Sequence, residues 1–275
     1  MVCEHEVPQG EWWRMQPIAE RRGMKPLTSA EKARKDRHMC DDHRVSISRR
    51  GLLAAGAATA FVGGFALPVG AQDAAAPAAN AISPDEALKR LIAGNERYSS
   101  NASRNLDFSV GRAARAAAQY PIAGLLSCAD ARVAPEIAFD QGLGDLFVVR
   151  VAGNFVNEDG LASFEYGVKV LGVPLIMVLG HSSCGAVAAT MKVLKDKVEL
   201  PGHLPALVNA IKPAIEVAEK SKDKNTLDEA IIQNVLFNVK RLQGATPIIS
   251  EFVSSGRLKI VGGVYDIATG KVTML

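Results

Sequence analysis

The chain has 275 residues, 48% of them hydrophobic, with 32 Lys and Arg against 29 Asp and Glu for a formal net charge of +3. The excess is confined to the front: residues 1–71 hold eleven basic and eight acidic side chains, and the remainder holds twenty-one of each. A neutral main body gives no case for nucleic acid or an anionic membrane as partner.

In chain order, residues 1–45 are basic, Arg-rich and without hydrophobic periodicity. The text Ser46-Ile-Ser48-Arg49-Arg50-Gly51-Leu52-Leu53 then opens an apolar run to Val69, closing on Val69-Gly70-Ala71. Paired arginines, a short apolar stretch and small side chains at the end predict an export signal of the twin-arginine type, which implies a periplasmic protein. Met39 offers a start that would leave a leader of conventional length. An uncleaved membrane anchor is the alternative, and the shortness and Gly content of the run speak against it. The expected organisation is a leader over 1–71, a linker over 72–82 and one domain over 83–275, without stable membrane insertion after cleavage.

Ser83-Pro84-Asp85-Glu86 supplies an N-cap, a proline at the first helical position and a capping-box acid, and Leu88, Leu91 and Ile92 follow at helical spacing. This predicts a helix to about residue 98, and an Ala-rich stretch predicts a second over 110–119, ended by Pro121. Continuous apolar runs at 122–127, 145–151 and 174–179 read as strands buried on both faces. Helices are expected over 161–171, from Cys184 to about 195, over 204–220 with a kink at Pro213, and over 226–242 behind the capping box Thr226 and Glu229. A strand, a turn and a strand over 258–264 and 271–275 close the chain at a sheet edge. The fold class is therefore α/β, with a mostly parallel central sheet flanked by helices.

Beyond the predicted leader the only cysteines are Cys128 and Cys184, and the only histidines are His181 and His203. Both Cys128 and His181 are placed just past the carboxyl ends of predicted parallel strands, where open α/β sheets hold ligands. Two thiolates and an imidazole suit Zn²⁺, and three protein ligands leave a fourth position for water. One disulfide is the competing reading for two cysteines in an exported protein. A disulfide, however, has no use for a histidine three residues before Cys184. Asp130 lies two residues after Cys128 and two before Arg132, so an extended loop could set a carboxylate beside the metal with a guanidinium gripping it. His203, beside Pro201 and Gly202, reads as a loop residue.

From about Ser83 to the C-terminus the sequence resembles the β class of carbonic anhydrases. The resemblance rests on Cys128-Ala-Asp130-Ala-Arg132-Val133, Gly144-Asp145-Leu-Phe147-Val-Val-Arg150, Ala152-Gly153-Asn154, Glu165-Tyr166 and Gly180-His181-Ser-Ser-Cys184-Gly185-Ala186, in family order. It implies reversible hydration of CO2 to bicarbonate and a proton at a zinc held by Cys128, His181 and Cys184. Hydroxide generated on the metal would be the nucleophile. Two thiolates make the first shell formally neutral, so activity should rise toward alkaline pH. The resemblance further implies that Asp130 and Arg132 orient that hydroxide and that Gln119 donates a hydrogen bond to substrate in an open zinc site. It places Phe147 and Tyr166 in the cleft of a neighbouring subunit, so a homodimer or larger assembly is expected, with the N-terminal helices packing on the partner. One departure is Ala131, where the family usually has serine. Carbonyl sulfide or carbon disulfide hydrolysis on the same ligands, or a non-catalytic zinc or bicarbonate-sensing domain, are the competing functions.

Overall fold

The computed structural model describes residues 80–104, 112, 115, 116, 118–220 and 226–275. The leader, most of the linker and most of the expected helix over 110–119 lie outside them. Its last positions do not continue a helix: residues 118–120 run as coil into Pro121. Among the described residues no helix is long and apolar enough to cross a membrane.

The elements in chain order are α1 (Pro84–Ser99), β1 (Ala123–Ser127), α2 (Pro135–Ala138), β2 (Leu146–Arg150), α3 (Glu158–Lys169), β3 (Leu175–His181), α4 (Gly185–Asp196), α5 (Leu204–Ala218), α6 (Leu227–Gln243), α7 (Ile248–Ser254), β4 (Lys259–Tyr265) and β5 (Val272–Met274). The five strands form one sheet in the order β2-β1-β3-β4-β5, parallel except for the antiparallel edge strand β5. The expected mostly parallel α/β sheet is therefore the observed one. Two short helices, α2 and α7, have no counterpart in the sequence reading, because one or two turns are too short to display a 3.6-residue period.

Caps account for the helix starts. The Ser83 hydroxyl accepts from the Glu86 amide at 3.1 Å, and Thr226 does the same for Glu229 at 3.2 Å, each satisfying an amide that has no partner within the helix. Pro213 sits inside α5 as expected. The strands β1 and β3 are buried along their whole length, as a sheet covered on both faces requires.

One face packs Leu125, Leu175, Met177 and Leu179 against Ala87 and Leu91 of α1, so α1 devotes its apolar stripe to its own sheet. The other face packs Leu126, Ile176 and Val178 with Phe164, Val235 and Leu242. Helix α6 lies close on that face because two strand glycines lack side chains. A Cβ on Gly180 would come within 2.6 Å of Val235 Cγ2, and one on Gly262 within 2.7 Å of Val235 Cγ1.

A buried carboxylate fastens the end of α1 to the turn after α2. Asp140 is 5% exposed. Its carboxylate accepts from Arg97 Nε at 2.5 Å, from Arg104 Nε at 3.1 Å and from the Arg104 amide at 3.1 Å. Burial opposes its ionisation, but the hydrogen bonds from Arg97 and Arg104 outweigh it and hold the carboxyl below its ordinary range. A carboxyl depressed in the folded state stabilises the fold above its unfolded value, roughly 3.9, and the effect fades as pH falls through the lower folded value. Both arginines reach solvent, which screens the pairs. We therefore expect Asp140→Asn to lower stability by about 1–3 kcal/mol at pH 7. The difference in urea midpoint from the parent should shrink below roughly pH 4, and a pH-independent difference would contradict the ionic account.

Candidate metal centre

Adjacent parallel strands end at the site. In register, Ser127 of β1 lies beside Leu179 of β3, and His181 of β3 lies beside Tyr265 of β4. Cys128 follows β1 directly, and His181 is the last residue of β3, one place earlier in structure than the expected position beyond the strand. The strand is longer because His181 pairs with Tyr265, a partner that lies 84 residues downstream. Ser183 then takes a left-handed φ of 56° and turns the chain so that Cys184 becomes the N-cap of α4. Backbone N–H groups at a helix start favour a thiolate there.

The sulfurs of Cys128 and Cys184 and a ring nitrogen of His181 all lie within 4.8 Å of one another. Both thiols are free, so the disulfide alternative does not apply to this fold. Exposure is 3% for Cys128, 1% for Cys184 and 0% for His181. The His181 Nδ1 atom donates to the Ser182 carbonyl at 3.0 Å, which leaves Nε2 as the atom with the free lone pair. That Nε2 is buried and has no hydrogen-bond partner. An orphaned buried nitrogen facing two thiols is costly in a protein interior and is what a Zn²⁺ ligand set requires. The residues fit the metal.

The two thiols share charge unequally. The neighbouring Cys184 thiol draws Cys128 well below the ordinary thiol range against the opposing effect of burial, helped by the Gly153 amide, which donates to Cys128 Sγ at 3.2 Å. The same contact pushes Cys184 up. A divalent cation would relieve that asymmetry, since both thiolates could then face positive charge.

Asp130 and Arg132 are arranged as their spacing suggested. Arg132 Nε donates to Asp130 Oδ1 at 2.9 Å and Nη2 to Oδ2 at 2.7 Å, a two-pronged grip, and the Arg132 amide adds a third bond at 2.9 Å. The side-chain bond from Arg132 is the chief reason that Asp130 is held well below the usual carboxylate range. Asp130 Oδ2 lies 3.9 Å from His181 Nε2, beside the ligand trio.

Gln119, Phe147 and Tyr166 are elsewhere within the chain. Phe147 pairs with Gly124, four residues before Cys128, hence roughly 13 Å back along the sheet. Its ring lies 6.4 Å from that of Tyr166. Gln119 lines a groove with Tyr120 and Tyr166 that contains none of the three candidate ligands. Tyr166 is common to both contacts, so these residues form a second group apart from the ligand trio.

Arg150 carries a role that sequence reasoning did not assign. Its Nε donates to the Cys128 carbonyl at 2.9 Å, and its Nη2 to the carbonyls of Asp130 and Val133 at 2.8 Å each. A single guanidinium thus ties down the loop from Cys128 to Val133, using a fork that lysine cannot reproduce. The only cue in the sequence is an arginine at the end of a strand otherwise apolar from Leu146 to Val149. Arg150→Met keeps an apolar stem of similar length and removes the fork. We expect that variant to surrender zinc to a chelator about 10–100-fold more readily with an unchanged circular dichroism spectrum. Equal retention would show that the loop holds its shape without the clamp.

Comparison with known proteins agrees with this geometry. The family model described as "Carbonic anhydrase" matches residues 123–272. "Carbonic anhydrase 2" of Mycobacterium tuberculosis is 41% identical over 192 residues, which is 70% of this chain and 92% of that relative. The "Carbonic anhydrase" of Mycolicibacterium smegmatis is 43% identical over 195 residues, 70% of this chain and 93% of the relative. Among solved structures, the β-carbonic anhydrase CcaA superposes with a TM-score of 0.54 at 27% identity, over 68% of this chain and 94% of that one. Zinc is the metal of these enzymes, and Cys128, His181 and Cys184 are the group that could hold it here. With its parallel sheet, its buried Cys-His-Cys group and relatives that match over most of its length, the chain belongs to the carbonic anhydrase family and is an enzyme of its β class.

Proposed function

We propose that this chain hydrates carbon dioxide reversibly to bicarbonate and a proton, with Cys128, His181 and Cys184 as the zinc ligands and Asp130 and Arg132 as the groups that orient the nucleophile. The observation that carries the reading is the partnerless Nε2 of His181 between two free thiols, with an ionised carboxylate 3.9 Å away. Zinc held there would supply a Lewis acid that acidifies a water and provides hydroxide near neutral pH. Asp130 then acts as an acceptor only: Arg132 keeps it ionised, so its Oδ2 can take a hydrogen bond from the attacking oxygen and aim the lone pair at the carbon of CO2. Arg132 holds the carboxylate through two bonds and so fixes its direction as well as its charge. The three donors are buried, whereas Asp130 and Arg132 stand on the solvent side of them.

We further propose that the chain works as a homodimer joined along the free edge of β2. Among the described residues that strand has no partner on its outer side, Tyr166 packs on its Phe147, and Tyr120, Tyr166 and Val170 are exposed. An open strand edge with apolar neighbours invites pairing. In such a dimer Gln119, Phe147 and Tyr166, too distant from their own chain's ligands, would complete the partner's cleft, with Gln119 donating to substrate.

Stopped-flow measurement of CO2 hydration, on the full chain and on one starting at Gln72, tests the first proposal. Zinc-loaded protein should be active, with a rate rising toward alkaline pH because two thiolates leave the metal less acidic than three imidazoles would. Cys184→Ala should lose zinc and activity together. Asp130→Ala should retain zinc and lose about 10²–10⁴-fold in rate. A zinc-replete, inactive parent that instead hydrolyses carbonyl sulfide would overturn the assignment. For the dimer, Tyr166→Asp should shift the sedimenting species to monomer and lower the rate with the zinc content intact. A monomeric parent with full activity would refute the shared cleft.

A further inference from the structure

Helix α6 contains two asparagines, Asn234 and Asn238, that are 1% and 0% exposed. Burying a carboxamide is unfavourable unless its donor and acceptor are both engaged. These two are one helical turn apart and are joined to each other, with Asn238 Nδ2 donating to the Asn234 carbonyl at 2.8 Å and to Asn234 Oδ1 at 3.3 Å. Their remaining groups reach out of the helix. Asn234 Nδ2 donates to the Gly153 carbonyl at 2.8 Å, and Asn238 Oδ1 accepts from the Val156 amide at 2.9 Å. Neither residue lies in the segments that carry the family resemblance.

Gly153 is the residue whose own N–H donates to Cys128 Sγ at 3.2 Å. Its φ of +84° is open to glycine and unfavourable for any side chain, and a Cβ there would come within 2.5 Å of Ile211 Cδ1. One residue therefore faces a buried carboxamide with its carbonyl and a ligand sulfur with its amide, and its rotation is fixed from both ends. We propose that Asn234 is a positioning residue for the zinc site, aiming the Gly153 amide at Cys128 and so setting how much charge that sulfur gives the metal. Asn238 orients Asn234 through the carboxamide pair. An amide donating to a thiolate stabilises it against protonation and withdraws charge from it, which raises the metal's power to acidify water. The proposal rests on the zinc site and not on the reaction performed there.

The test uses the full chain loaded with Co²⁺ or with ¹¹³Cd²⁺. In the parent, the Gly153 amide proton should show scalar coupling to ¹¹³Cd through the N–H···S bond. Asn234→Ala should lose that coupling, move the sulfur-to-cobalt charge-transfer band to lower energy and weaken zinc binding about 10–100-fold. Asn234→Asp, which keeps the volume but sets an acceptor against the Gly153 carbonyl, provides the same readouts should the alanine protein fail to fold. Asn95→Ala is the structural control. Asn95 is a buried carboxamide too, donating to Ala138 and Gly270 carbonyls and accepting from the Val272 amide on α1's side of the sheet, so its loss should lower stability and leave band and coupling in place. A folded Asn234 variant with the parent's band and coupling would overturn the proposal, as would a parent in which Gly153 shows no coupling to bound cadmium. A parent that takes up no metal would overturn the zinc site as well.

Discussion

Everything at this site depends on bringing two thiols and one imidazole together where water is excluded. Such a cluster is unfavourable on its own: the His181 Nε2 atom has no partner, and two buried thiols lie side by side, the one shifted down and the other up by their closeness. A metal with two thiolate ligands and one neutral nitrogen resolves both difficulties at once. The surrounding structure keeps the donors in place. Parallel strands β1 and β3 end side by side, and the left-handed turn at Ser183 returns the chain to Cys184.

Around the donors, arginine appears twice for different physical reasons. Arg132 grips a carboxylate, so charge complementarity decides its place and keeps Asp130 ionised. Arg150 grips three carbonyl oxygens, so the planar fork and the number of donors decide its place. The first fixes an acceptor beside the metal and the second fixes the backbone that carries that acceptor. On the far side, α6 reaches the same loop system through carboxamides, and it lies near enough only because Gly180 and Gly262 leave room for Val235.

The residues proposed to act on substrate divide into two sets that a single chain does not join. Asp130 and Arg132 stand next to the ligands, whereas Gln119, Phe147 and Tyr166 gather away from them, around Tyr166. The proposed homodimer along β2 would bring one copy's second group to the other copy's metal centre. The exposed apolar side chains there are consistent with such a contact.

The sequence by itself determined the main strand and helix alternation, the strand that closes the sheet edge, the caps at Ser83 and Thr226 and the candidate ligand trio. These are carried by local features: apolar runs, cap residues and a chemistry that few residue types can supply. Pairing of Asp130 with Arg132 was legible for the same reason, since two residues of separation in an extended loop leave little freedom. Only the tertiary structure decided that the cysteines are free thiols around an imidazole, that His181 belongs to β3, and that Arg150, Asn234 and Asp140 hold the loops in place. Each of those facts joins residues far apart in the chain, 22 positions for Arg150 with Cys128 and 81 for Asn234 with Gly153. An asparagine or arginine within an apolar run looks the same in sequence whether it faces solvent or caps a distant carbonyl. Burial and the need to satisfy every buried polar group settle which, and both arise only when the chain has folded.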